Sequence, residues 1–181
     1  MAMLLARLQP ALVARVVLND IGPEVDPAGL ERLRGYAGRS APVRNWAEAT
    51  AEVRAIYGAA WPDLSAARWE QIARLSYRAN AQGVPEADAD PLIAVPLRER
   101  AAPQLWEVWR ALGRLPLLAI RGAHSDILSE ATLARMQREK PNLEVLTVPN
   151  RGHVPLLDEP QCLAAIDAFL SPECSAGAAA D

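Results

Sequence analysis

The sequence predicts an α/β fold in which about three parallel strands with flanking helices are interrupted by a helical insertion. Three observations carry this expectation. The runs Val13–Asn19, Leu115–Arg121 and Leu143–Val148 are short and almost continuously apolar, as strands covered on both faces require. Helix-like patterns accompany each run. Residues 24 to about 100, by contrast, hold no strand-like run and are rich in Ala and Arg.

Taken in order, Met1, Leu4, Leu5 and Leu8 fall on one helical face at i, i+3, i+4 and i+7. No Ser, Thr, Asp or Asn stands ahead of them to cap the first amides, so the chain reads as starting inside a helix. Pro10 closes that helix, and Asp20-Ile-Gly-Pro23 closes the first strand with turn residues. The insertion predicts helices near 27–38, 43–60 and 65–79, punctuated by Pro27, Pro42, Pro62 and Pro85. Leu105–Leu112 reads as a helix end. Ser129 is placed to cap a helix through Lys140, Pro141-Asn142 forms a turn, and Pro160–Leu170 is an amphipathic helix. The tail Ser171–Asp181, rich in Ala and Gly, is expected to fray. The organisation is therefore 1–23 with 101–170 as a core, 24–100 as an insertion, and 171–181 as a tail.

Composition limits the function classes. The chain has 181 residues, 51% of them apolar and 23% charged, with a formal charge of −3. That is the balance of a globular domain able to bury a core. No basic stripe appears, so nucleic acid is not an expected partner. No apolar run approaches membrane-spanning length. The opening Met-Ala-Met-Leu-Leu-Ala is too short for a signal-peptide core, and a cytoplasmic protein is expected. Cys162 and Cys174 lack the CxxC spacing of a redox or zinc site and read as ordinary thiols in a reducing compartment.

In open parallel sheets chemistry gathers at the carboxyl ends of the strands, which points to loops 19–24, 121–129 and 149–157. Both histidines of the chain, His124 and His153, lie there. His153 sits in Asn150-Arg-Gly-His-Val-Pro155, where Gly152 permits a sharp bend and Val154-Pro155 delays the next helix. An imidazole so held suits general base and acid work. Asp126, in the loop after the preceding strand, is placed to accept a hydrogen bond from the far ring nitrogen and fix the tautomer. His124, on the same turn, reads as a loop residue. The five tryptophans, Trp46, Trp61, Trp69, Trp106 and Trp109, fall in one stretch and either pack helices or line an apolar pocket.

Arg-Gly-x-x-Ser-Asp-Ile-Leu-Ser (121–129), followed by Gly-His-Val-Pro-Leu-Leu-Asp-Glu-Pro (152–160), closely resembles the C-terminal part of α/β-hydrolase-fold enzymes. Val-Val-Leu-Asn-Asp-Ile-Gly-Pro-Glu (16–24) is similar to the sixth strand and following loop in one branch of that family. The resemblance covers the chain to about Leu170. It implies a partial α/β-hydrolase fold with Asp126 as triad acid and His153 as triad base. Residues 24–100 become a helical cap or lid, and no cofactor or metal is implied. Asp20 is an alternative acid, since some relatives place that residue after the sixth strand.

The nucleophile elbow Gly-x-Ser-x-Gly has no counterpart here: Ser40, Ser65, Ser76, Ser125, Ser129, Ser171 and Ser175 all lack its context. The resemblance thus implies a chain that starts past its nucleophile, either truly short or assigned too late a start. The parent would hydrolyse a small apolar ester-like substrate, or a carbon–carbon bond in a diketone, and this chain alone would be inactive. The alternatives are a non-catalytic interaction domain and a fragment completed by a second chain. Val13–Asn19, lacking its neighbour strand, would be open to self-association.

Overall fold

Strand β4, Leu117–Gly122, is buried along its entire length and sets the first of two units. A computed structural model describes residues 2–99, 103–113 and 115–171. Residues up to Asp26 together with those from Pro103 onward form one unit, and Pro27–Ala102 form the other. In the first, β1 (Val16–Asn19) and β5 (Glu144–Val148) flank β4 in a parallel sheet of order β1-β4-β5. Val16 pairs with Leu117 and Leu118 with Glu144. All three predicted strands are found, each trimmed at its N-terminal end.

The alternation of side chains along β4 explains its continuous apolar run. Leu117 and Ala119 join a core with Met3 and Ala6 of α1 (Ala2–Leu8), Trp106 and Trp109 of α6 (Trp106–Ala111), and Leu133 and Met136 of α7 (Glu130–Glu139). Leu118 and Ile120 face the other way, against Cys162 and Phe169 of α8 (Pro160–Leu170). Ser129 caps α7 as expected, its hydroxyl accepting the Thr132 amide at 3.1 Å. Among the described residues β1 has no partner on its outer edge. The tail from 172 on, with Cys174, lies outside the described residues.

The second unit holds α2 (Pro27–Tyr36), α3 (Trp46–Tyr57), α4 (Ala66–Ser76) and α5 (Val95–Glu99). It corrects the expectation of a strand-free insertion. Tyr77–Ala79 (β2) and Pro85–Ala87 (β3) form an antiparallel hairpin. Its turn is built by Asn80, whose Oδ1 accepts the Gln82 and Val84 amides, and by Gly83 at φ +78°. Three-residue strands are too short to show a period of two in the sequence, and the helix predicted to 79 instead ends at Ser76. Asn45 and Ser65 cap α3 and α4. Tyr36, Tyr57, Trp61 and Trp69 form a continuous chain of ring contacts, with neighbouring centroids 4.8–5.8 Å apart.

Candidate functional site

Asp20 continues β1 by one residue, its amide donating to Ile120 O at 2.7 Å. The chain then turns sharply, because Asp20 adopts φ +55°, a left-handed conformation that costs free energy in any residue with a Cβ. The side chain is wholly buried. Its carboxylate is met by three donors. The Gly122 amide donates to Oδ1 at 2.9 Å, the Ser125 hydroxyl to Oδ2 at 2.7 Å, and His153 Nδ1 lies 2.8 Å from the same Oδ2.

His153 reaches this carboxylate from the loop after β5. Asn150 and Leu157, at φ +53° and +66°, bend that loop before and after the histidine. Arg151 Nε and the Leu156 amide both donate to Glu159 Oε1, at 2.7 and 3.2 Å, so one carboxylate ties both flanks of the loop to the start of α8. Burial pushes Glu159 up, yet hydrogen bonds from its own amide, Arg151 and Leu156 outweigh this and hold it below its ordinary value. Asn19 Nδ2 adds a bond to Pro155 O at 3.1 Å. The loop also approaches β4 closely: a Cβ on Gly122 would stand 2.5 Å from the carbonyl oxygens of Arg151 and Gly152. Only glycine fits there.

Both Asp20 oxygens already accept hydrogen bonds from other groups, so the carboxylate offers His153 an acceptor. Nδ1 then carries the ring hydrogen and Nε2 keeps its lone pair. A part-exposed imidazole with a buried carboxylate behind it can take a proton at Nε2 while the carboxylate stabilises the resulting cation.

The residue found 2.8 Å from His153 Nδ1 is Asp20, the alternative acid to Asp126 in the sequence reading. The reason is register: β1 neighbours β4 directly, and Asp20, one step past Asn19↔Ile120, falls against Gly122 and Ser125. Asp126 is half-buried in the same loop, one residue beyond Ser125. His124 is exposed and contributes its amide to Arg151 O at 2.8 Å. Ser125 belongs to the Arg-Gly-x-x-Ser-Asp-Ile-Leu-Ser motif but lacks an elbow context, and its pairing with Asp20, 105 positions away, leaves no local sequence signal.

Trp61, Trp69, Trp106 and Trp109 are buried in packing contacts, while the Arg74 guanidinium lies 4.6 Å from the Trp46 ring centre. Trp61 and Trp69 lie in the ring chain of the second unit, and Trp106 and Trp109 in the core of the first. Trp106 Nε1 donates to Glu24 Oε2 at 2.8 Å, and the Arg135 guanidinium lies 3.7 Å from its ring centre. The second unit also holds a cavity of about 590 Å³, and the rings on its wall are Tyr36 and Tyr57, beside Ile56, Ile93 and Leu97. Burial pushes the Tyr57 hydroxyl above its ordinary value. Among the described residues no group of three or more His, Cys, Asp or Glu is placed to hold a metal ion, and no helix is long and apolar enough to cross a membrane.

A scan against protein-family models finds no match. The chain is 28% identical over 180 residues to the 3-hydroxybutyrate-oligomer hydrolase of Cupriavidus necator, an alignment covering 92% of this chain and 60% of that protein. Among solved structures it is similar to an α/β hydrolase from Novosphingobium aromaticivorans, with a TM-score of 0.84, 40% identity, and coverage of 93% of this chain and 60% of that one. It is also similar to E-2-(acetamidomethylene)succinate hydrolase, at TM-score 0.73 and 27% identity, covering 93% and 61%. The chain spans about 60% of the length of these relatives.

Proposed function

Since the chain carries a partial α/β-hydrolase fold, we propose that it supplies the acid–base half of a hydrolytic triad. His153 is the proton-transferring base and Asp20 the carboxylate that holds it. The observation carrying this reading is the 2.8 Å approach of His153 Nδ1 to a fully buried Asp20 that two further donors fix in place. The nucleophile is provided by a segment outside these 181 residues. The reaction is hydrolysis of an ester, or of a carbon–carbon bond, with His153 activating the nucleophile and returning its proton to the leaving group. Pro27–Ala102 acts as the cap.

Loss of a triad nucleophile costs on the order of a millionfold in rate, roughly 8 kcal/mol of barrier. The chain alone is therefore expected to show no turnover of short-chain p-nitrophenyl esters or of 3-hydroxybutyrate oligomers, the substrates named for the C. necator relative. Turnover is expected once a segment bearing a Gly-x-Ser-x-Gly elbow is joined to it, and His153→Ala should abolish that turnover. Ester hydrolysis by the chain alone, or activity in the joined protein that survives His153→Ala, would overturn the assignment.

A second reading is association with another chain along β1. It is supported by the open edge of Val16–Asn19 and by Leu5, Leu8 and Leu12, whose side chains are exposed in the segment leading to it. Sedimentation showing a concentration-independent monomer would remove it.

A further inference from the structure

We propose that Ser125 is a positioning residue for the Asp20–His153 pair, its hydroxyl hydrogen committed to Asp20 Oδ2 so that it both fixes the carboxylate and tempers its hold on the imidazole. The proposal rests on the reading of Asp20 and His153 as a functional pair.

The direction of the Ser125 bond follows from counting. A hydroxyl has one hydrogen and two lone pairs. Ser125 Oγ lies 3.2 Å from the Ile127 amide and 3.0 Å from the Leu128 amide, both of which can only donate. Its lone pairs are thereby used, and its one hydrogen is left for Asp20 Oδ2 at 2.7 Å, the length of a hydroxyl bonded to a carboxylate. The Gly122 amide holds the other oxygen at 2.9 Å. Each oxygen thus has its own fixed donor, and the plane of the carboxylate is set before His153 is considered.

A consequence follows for the imidazole. Oδ2 is shared by two donors, Ser125 and His153, and electron density drawn toward one is less available to the other. The Gly122 amide, on Oδ1, acts on Oδ2 only through the delocalised charge of the carboxylate, whereas Ser125 competes at the same oxygen. Ser125 also closes the turn 125–128, so the placement of the turn and the strength of the Asp20–His153 bond are joined in one hydroxyl.

The test is proton and nitrogen NMR of the full chain carrying His124→Gln, which leaves His153 as the sole imidazole. A downfield, slowly exchanging Nδ1–H resonance is expected, and Asp20→Asn should abolish it. Its absence, or its persistence in Asp20→Asn, would overturn the pairing itself and the proposal with it. With the pairing intact, Ser125→Ala should move the resonance further downfield, as Oδ2 loses its competing donor, while Ser125→Thr, which keeps a hydroxyl, should restore its position. A resonance that stays in place in Ser125→Ala, while the Ile127 and Leu128 amides shift, would reduce Ser125 to a turn residue and overturn the proposal. Should Ser125→Ala fail to fold, the unmutated serine decides: a slowly exchanging Ser125 hydroxyl proton with a cross-peak to His153 Nδ1–H supports it, and the lack of one refutes it.

Discussion

Asp20 and His153 stand 2.8 Å apart, Oδ2 to Nδ1, although 133 positions of chain separate them. Replacing Asp20 by Ala leaves three donors without their acceptor, the Gly122 amide fully buried and the Ser125 hydroxyl and His153 ring partly so, and an unsatisfied buried donor costs about 1–3 kcal/mol. Part of this is offset by relief of the left-handed backbone only if the turn relaxes. Asp20→Ala is expected to lose about 3 kcal/mol in urea unfolding, and Asp126→Ala distinctly less. The opposite order would return Asp126 to the role that the sequence reading assigned it.

Gly122 tolerates no side chain. The two carbonyl oxygens that a Cβ would meet belong to backbone, in the loop that carries His153, and cannot swing aside as a side-chain tip would. Gly122→Ala is expected to cost about 1–3 kcal/mol and to displace His153 from Asp20. A thermal melt matching the unmodified chain, with the His153 ring proton unmoved, would contradict this.

The Arg151–Glu159 pair gives the loop a pH dependence of known sign. Glu159 is held below 4.5 in the folded chain, so its stabilising contribution is present above that value and is lost as pH falls through the folded one. Arg151 and Glu159 side chains are only 11% and 6% exposed, and breaking such a pair costs about 3 kcal/mol. Arg151→Met should show that deficit at pH 7, and the gap to the unmodified chain should narrow in denaturation curves as pH is lowered below 4.5. A gap constant with pH would mean that the charge on Glu159 is not what the arginine stabilises.

Cys162 is expected to be chemically silent at neutral pH. Burial, and then its contact with Glu159, push its thiol up from 9.0 to about 12, and only the thiolate attacks disulfide reagents. In a Cys174→Ser background the folded chain should react with a disulfide reagent no faster than it unfolds. The unfolded thiol ionises near 9 and the folded one near 12, so stability should decline as pH rises across that window. Prompt labelling at pH 8 without denaturant would show the thiol to be open.

What the sequence showed and what it hid divide along physical lines. The buried strands were legible because both faces of the sheet are covered, leaving Leu115–Arg121 almost purely apolar, and α7 because Ser129 has a capping role visible in one residue. The loop that carries His153 was legible because glycine and proline bracket that residue. The identity of its partner was not. Asp20 and Asp126 both follow strands, and choosing between them needs the register of β1 on β4 and the left-handed turn at Asp20, neither of which leaves a local pattern. The hairpin at 77–87 was hidden for a related reason, since its strands are shorter than the period that reveals them.

The places where the chain leaves and re-enters the first unit are stitched together from within it. Leu105 donates its amide to Pro23 O at 2.7 Å, Trp106 Nε1 binds Glu24, and the Asp26 amide reaches Ile127 O at 3.0 Å. Every donor around Asp20 also belongs to that unit. The ends between which Pro27–Ala102 is inserted are thus fixed within the first unit, and loop-closure entropy grows only slowly with the length inserted there. An insert of another length can be carried between Asp26 and Pro103 without touching any hydrogen bond around Asp20, since every one of those bonds is made within the first unit.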